Sequence, residues 1–272
     1  MHAPDRYIVI GNPVAHSKSP PIHAAFAGQT GQNLRYERQF APIDGFSAAV
    51  RDFIEQGGKG LSVTVPFKLE AHALADELSE RARAAGAVNS LKIVDGRIFG
   101  DNTDGAGLVS DIERNAGVPL RGKKILLLGA GGAARGAILP LFEAGVASIT
   151  IVNRTTAKAQ ALADVFSAQG KILAQDIETL DGSFDIVINA TSASIEGELP
   201  AVRPDIFAPG ALAYDMMYGK EPTVFLRFAA RHGAATRDGL GMLVEQAAEA
   251  FLLWRGVRPD TAPVYAAMRA GE

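Results

Sequence analysis

The sequence predicts an α/β protein of two domains with mostly parallel sheets, and three observations predict it. The first is an apolar run, Ile125 to Leu128, that breaks at Gly129 and resumes as a helix through Ala133, Ala134, Ala137, Ile138 and Leu141. A strand buried on both faces, a glycine turn and a helix form the phosphate-binding entry of a Rossmann-like dinucleotide domain. The second is that strand and helix patterns alternate along both halves of the chain, which implies parallel pairing. The third is a long Ala- and Leu-rich helix pattern near the end, outside that alternation.

The elements follow in order. Residues 7–10 read as a short buried strand, running into the hydroxyl-rich loop Gly11-Asn-Pro-Val-Ala-His-Ser-Lys-Ser-Pro20. A helix is predicted from Pro21 to about Gly28, with Ser19 placed to cap it. Residues 35–40 alternate like a strand, 46–54 have helical spacing, and 61–65 form a strand ending at Pro66-Phe-Lys68. Helices then carry Leu69, Ala73 and Leu74, and after them Leu78, Ala82 and Ala85. Residues 88–93 and 97–99 flank Asp95-Gly96, a strong hairpin signal. A helix through Leu108, Ile112 and Ala116 starts at Asp104-Gly105. Past the glycine turn come a strand at 148–153, a helix at 155–166, strands at 184–190 and 211–215, and helices at 222–232 and 242–254. The division predicted is 1–104, 105–238 and 239–272, the last segment packing back on the first domain.

In the glycine turn, Gly129 allows the bend, Gly131 lets the backbone approach a pyrophosphate, and Ala134 keeps helix and strand close. The helix start adds N–H groups and a dipole favourable to an anion. The next strand ends in Asn153-Arg154-Thr155. An acid there would bind a free ribose 2′-hydroxyl and repel a 2′-phosphate, whereas Arg154 attracts the phosphate and its neighbours hydrogen-bond to it. The cofactor predicted is therefore NADP rather than NAD.

The 272 residues carry 27 Lys and Arg against 30 Asp and Glu, and this net charge of −3 gives no field to attract nucleic acid. The absence of cysteine excludes disulfides and thiolate metal sites, and the scattered histidines lack metal-ligand spacing, so no metal is predicted. No apolar run is long enough to span a membrane, and the N-terminus lacks signal-peptide regions, so a cytoplasmic protein is expected.

A nicotinamide cofactor needs a partner for hydride, and a carbonyl that gains hydride also needs a proton. Lys68 follows a strand and a proline, where α/β sheets expose side chains to a ligand. Asp104 opens a helix after the hairpin. A lysine–aspartate pair would hold charge and pass a proton; a solvated lysine and an N-capping aspartate are the plainer alternatives. Ser17 and Ser19 suit substrate binding or their own loop, and His16 is read as structural.

Together these stretches resemble the shikimate dehydrogenase family along the whole chain. The resemblance rests on residues 11–20, Val63-Thr-Val-Pro-Phe-Lys68, Gly86-Ala-Val-Asn89 and Gly100-Asp-Asn-Thr-Asp-Gly105. It continues through Gly129-Ala-Gly-Gly132, Asn153-Arg-Thr155, Asn189-Ala-Thr-Ser192, Tyr214-Asp-Met216, and Asp238-Gly-Leu-Gly-Met-Leu-Val244 with Gln246. It implies reversible NADP-dependent reduction of 3-dehydroshikimate to shikimate, on the route to chorismate and aromatic amino acids. It also implies a substrate domain and an NADP domain separated by a cleft. Lys68 matches the family's general acid/base and Asp104 its partner. Ser17 and Ser19 match positions that hold the substrate carboxylate, while Thr64, Asn89, Tyr218 and Gln246 match positions that hold hydroxyls or shape the pocket. Gly129, Ala130, Gly131, Gly132 and Ala133 match the pyrophosphate loop. Asn153, Arg154, Thr155, Thr156, Ala157 and Lys158 match the adenosine phosphate clasp. Met216 and Gly239 match positions near the nicotinamide, and Glu80 one assigned to cofactor contact. A homodimer is among the assemblies left open.

The chain departs from the family at Ser62, where Asn is common, and at Ala193-Ser194, where a Ser/Gly turn is usual. Serine is shorter, so a direct reach to substrate becomes water-mediated. A quinate/shikimate dehydrogenase with relaxed NAD/NADP use is the nearest alternative, and an idle NADP-binding sensor is the alternative from another class.

Overall fold

The computed structural model describes residues 3–191, 193, 197–200 and 202–271. It forms two compact units, one running up to Gly107 and resuming at Val244–Met268, the other built from Leu108–Leu243 with the chain from Arg269 on. The chain passes between the units at 107/108, 243/244 and 268/269, each time inside a helix.

The first unit opens with β1 (Asp5–Gly11), α1 (Ser19–Thr30), β2 (Leu34–Phe40), α2 (Phe46–Glu55), β3 (Gly60–Val63) and α3 (Lys68–Leu74). It continues with β4 (Glu77–Leu78), α4 (Glu80–Ala85), β5 (Ser90–Val94) and β6 (Arg97–Asp101). The sheet order is β2-β1-β3-β5-β6-β4, parallel except for β5, which runs against both of its neighbours. Strand alternation sorts the core. Ile8, Ile10, Leu61 and Val63 pack on one face with Phe46, Val50 and Phe53 of α2. Tyr7 faces the other way, against Ala250 and Trp254. Trp254 also donates from Nε1 to the carbonyl of Leu91 at 3.0 Å. Because β5 is antiparallel, Asn89 at its start lies at the same sheet edge as the residues that follow β3 and β6. Topology thus gathers residues 64–68, 89 and 102–104 at one edge.

The second unit takes up α5 (Asp104–Ser110), which bridges the first changeover, and continues as a single π turn, Asp111–Asn115. Then come β7 (Lys124–Leu128), α6 (Gly132–Glu143), β8 (Ser148–Val152), α7 (Thr156–Phe166), β9 (Ile172–Gln175), β10 (Phe184–Asn189) and β11 (Phe207–Asp215). These are followed by α8 (Val224–Arg231) and β12 (Ala235–Asp238), after which α9 (Leu240–Arg255) carries the chain back into the first unit, where most of α10 (Ala262–Ala270) also lies. The sheet is parallel in the order β12-β11-β10-β7-β8-β9, with the strand order reversing at β7 and β10. This doubly wound pattern is the Rossmann-like arrangement, whose ligands bind past the strand ends at the switch point. Leu126 and Leu128 join the core with Phe225 and Leu226 of α8, while Ile125 and Leu127 are also wholly buried, so β7 is covered on both faces.

Three local readings need correction. Ser19 does not cap α1: it is the first helical residue, Lys18 holds the cap position, and the helix runs on to a left-handed Gly31. Leu78 is not helical, since β4 pairs it with Gly100. Ser79 then caps α4 by accepting the Ala82 N–H at 3.1 Å. The helix expected through Leu108, Ile112 and Ala116 widens into the π turn at Asp111. Buried Asp111 accepts from Tyr214 Oη at 2.7 Å, from Arg237 Nε and Nη2 at 2.7 and 2.6 Å, and from Asn115 at 2.8 Å. With four donors converging on one buried carboxylate, the backbone follows the charge rather than the regular helix.

Candidate active site

Lys68 is the first residue of α3 and Asp104 the first of α5, and their side chains meet: Lys68 Nζ lies 2.5 Å from Asp104 Oδ2. The other oxygen, Oδ1, accepts from Asn89 Nδ2 at 2.8 Å. Asp104 is therefore not an N-cap, because both carboxylate oxygens serve other partners. Asn89 is oriented in turn by the backbone N–H of Thr103, which donates to its Oδ1 at 2.9 Å. That bond fixes which end of the amide faces Asp104. The Thr103 hydroxyl donates to Gln246 Oε1 at 3.3 Å, tying α9 to the same cluster. The Lys68 side chain stays 32% exposed, so the ammonium keeps donors within reach of a ligand.

Further bonds hold the loop that bears Asp104. Asp101 takes the guanidinium of Arg81 through both oxygens, at 2.8 and 2.6 Å, and the hydroxyl of Ser79 at 2.5 Å. Burial pushes the Asp101 carboxyl up, but the Arg81 and Ser79 bonds outweigh it and hold the group below its ordinary range. Asn102 donates to the carbonyl of Ala87 at 3.1 Å and accepts from the Asp104 N–H at 3.2 Å.

The hydroxyl loop is locally ordered. Ser17 Oγ accepts the Ser19 N–H at 3.3 Å, and Arg38 donates from Nε and Nη2 to the Ser17 carbonyl at 3.0 and 2.5 Å. Thr64 follows β3 and crowds Gly11, where an added Cβ would come within 2.3 Å of Thr64 Cγ2. Ser62 is buried in β3, directly opposite Ser90. Lys68, Asp104, Asn89 and Gln246 are thus joined by hydrogen bonds, and Ser17, Ser19 and Thr64 belong to the same unit. Glu80, at the start of α4, also lies in this unit, whereas Tyr218, half-exposed after β11, belongs to the other. Reading single residues does not pick out Thr103. Its place inside Gly100-Asp-Asn-Thr-Asp-Gly105 is the available signal.

In the second unit Gly129 follows β7 with φ +106°, a conformation that only glycine adopts readily. Gly131, at the N-cap of α6, and Gly132 have open space where a Cβ would stand. With no side chain to cap them, the first N–H groups of α6 are left for an anion. This cradle fits a dinucleotide pyrophosphate across Gly129, Ala130, Gly131, Gly132 and Ala133. Asn153 and Thr155 to Lys158 stand at the end of β8 and the start of α7, with Arg154 exposed. Met216 and Gly239 are brought together, since a Cβ on Gly239 would come within 2.1 Å of the Met216 carbonyl oxygen. Ser192 and Ser194, named in the motif and in its departure, lie outside the described residues. Among the described residues no group of three or more His, Cys, Asp or Glu is placed to hold a metal, and no helix is long and apolar enough to cross a membrane.

Comparison with known proteins gives the family. Residues 9–91 match the shikimate dehydrogenase substrate binding domain, 112–196 the shikimate / quinate 5-dehydrogenase family, and 239–269 the shikimate 5′-dehydrogenase C-terminal domain. A curated shikimate dehydrogenase (NADP(+)) of Herminiimonas arsenicoxydans is 63% identical over 98% of this chain and 97% of its own. The crystal structure of an Ael1 enzyme from Pseudomonas putida superposes with TM-score 0.92 at 52% identity, covering 97% of each chain. The shikimate 5-dehydrogenase of Thermus thermophilus, solved in complex with NADP(H) and shikimate, gives TM-score 0.88 at 33% identity over 98% of this chain and all of its own. With this likeness spanning nearly its full length, the chain belongs to the shikimate dehydrogenase family.

Proposed function

We propose that the chain catalyses the reversible NADP-dependent interconversion of shikimate and 3-dehydroshikimate. The observation that carries this is the Lys68–Asp104 pair at 2.5 Å, with the second carboxylate oxygen held by Asn89. When bound, NADP supplies the redox couple that takes up or returns hydride at C3 of the ring. In reduction, Lys68 Nζ donates a proton to the C3 oxygen as negative charge grows there, and in oxidation it takes that proton back. Asp104 aims the amine and balances its charge, and Asn89 and Thr103 keep Asp104 from turning away. Ser17 and Ser19 hold the substrate carboxylate, while Thr64, Asn89, Asp104, Gln246 and Tyr218 hold ring hydroxyls or shape the pocket.

The turn from Gly129 to Ala133 holds the pyrophosphate through backbone N–H groups. Residues Asn153 to Lys158 hold the 2′-phosphate, Met216 and Gly239 line the nicotinamide, and Glu80 supplies a further cofactor contact. The setting we infer is the cytoplasm, with a homodimer as the assembly to test.

Initial rates of the purified protein on shikimate and quinate, each with NADP+ and NAD+, test the reading. kcat/KM should be highest for shikimate with NADP+. Equal or better turnover of quinate would reassign the substrate, and Ser62 is the residue that would make that room. Tight NADP+ binding without turnover of either substrate would favour a non-catalytic sensor.

A further inference from the structure

We infer that Asp176 limits how strongly this chain prefers a cofactor bearing a 2′-phosphate, by holding the hydroxyl proton of Thr156. The inference rests on the reading that residues 153–158 receive that phosphate. It starts from strand pairing: β8 and β9 run parallel with Val152 opposite Gln175, so Asn153 and Asp176 leave the sheet side by side. Asp176 is exposed, and Thr156 Oγ1 donates to its Oδ2 at 2.9 Å. Its other oxygen, Oδ1, accepts the N–H of Glu178, also at 2.9 Å.

Donor accounting gives the consequence. A hydroxyl has one proton, and a phosphate dianion offers only acceptors. While Thr156 donates to Asp176 it presents lone pairs to an arriving phosphate, and that bond must break before Thr156 helps bind it. Asn153 is partly committed as well, donating from Nδ2 to the carbonyl of Thr155 at 2.9 Å. A free ribose 2′-hydroxyl differs because it brings its own proton and can donate to Thr156 or to Asp176. The carboxylate also adds a negative charge beside the clasp, which disfavours the phosphate through water and weakens with salt. Arg154 and Lys158 therefore work against an acid built into the next strand end, and the clasp discriminates less than its cations alone would.

Asp176→Asn tests this with little change of shape. Its amide oxygen can still take the Glu178 N–H, while its NH2 group donates to Thr156 and releases the hydroxyl proton. Calorimetric titration with NADP+ and with NAD+ gives the ratio of their dissociation constants. That ratio should move toward NADP+ by about two- to fivefold, the scale of an exposed charge interaction, and by less at high salt. Asp176→Ser should move it in the same direction. Weakening of both cofactors together would mean that Asp176 grips the shared adenosine, and an unchanged ratio would mean that it only orders the turn to Glu178; either result overturns the inference. Arg154→Ala separates the two layers. It should weaken NADP+ selectively, and if it does not, the phosphate assignment of residues 153–158 falls and the inference with it.

Discussion

Asp104 has both carboxylate oxygens engaged, by Lys68 and by Asn89, whereas Gly131 and Gly132 at the start of α6 keep open space where a side chain would stand. The two regions solve opposite problems. Proton transfer needs donor and acceptor fixed relative to each other before substrate arrives, so the chain supplies a partner for each carboxylate oxygen of Asp104 and leaves the Lys68 ammonium donors to spare. Pyrophosphate binding needs donors left unspent, so the chain removes side chains and ends a helix there. The first region is organised by its own bonds, and the second waits for a ligand to complete it.

The most severe way to break the contrast is at Lys68. Lys68→Ala removes the proton source while leaving Asn89 and Thr103 to hold Asp104, so kcat should fall about 10²–10⁴-fold, the usual worth of general acid–base help. KM for shikimate should change far less. Lys68→Arg should not restore the rate, because a guanidinium keeps its protons. Steady-state kinetics in both directions decide the matter, and an intact kcat would reduce Lys68 to a binding residue.

At the other region the effect should be confined to affinity. Arg154→Asp replaces a donor to the 2′-phosphate by a repelling charge, and NADP+ should bind about 10–100-fold more weakly, the worth of a charged hydrogen bond. NAD+ should be nearly unaffected, and kcat at saturation should be kept. Fluorescence titration of both cofactors against the variant measures it, and equal losses would show that Arg154 does not read the phosphate.

The two regions also differ in how plainly the sequence announces them. The glycine turn is legible because strand, turn and helix are contiguous and each glycine has a local reason. Lys68 and Asp104 are each legible as strand-end or helix-start residues, but their meeting depends on β5 running antiparallel, which the Asp95-Gly96 hairpin announces. Thr103 is not legible, since its role exists only once Asn89 and Gln246 are in place around it. The π turn is hidden for a related reason: Asp111 meets Arg237 from far along the chain, and no local pattern records that pairing. The strand β4 escapes the sequence reading because two residues are too short for a period to show, and β9 and β12, four residues each at the two edges of their sheet, are missed with it.

The smallest expected effect lies behind the first region, in the helix that begins at Ser19. His23 of α1 is 1% exposed and stacks on Tyr36 at 4.2 Å, with Phe26, Phe251 and Trp254 around it. Neither ring nitrogen has a hydrogen-bond partner among the described residues. Burial alone drives its pKa down to about 3, so the folded protein carries His23 neutral. The unfolded chain takes up that proton near pH 6.5, and folding stability from this group is therefore full above pH 6.5 and lost progressively toward pH 3. His23→Phe keeps a flat aromatic ring and removes the titration. Urea unfolding at pH 7.5 and pH 5 should show the variant losing less stability on acidification than the parent, by on the order of 1 kcal/mol. Equal losses in the two proteins would mean that the buried imidazole is stabilised as a cation by groups other than those aromatic rings.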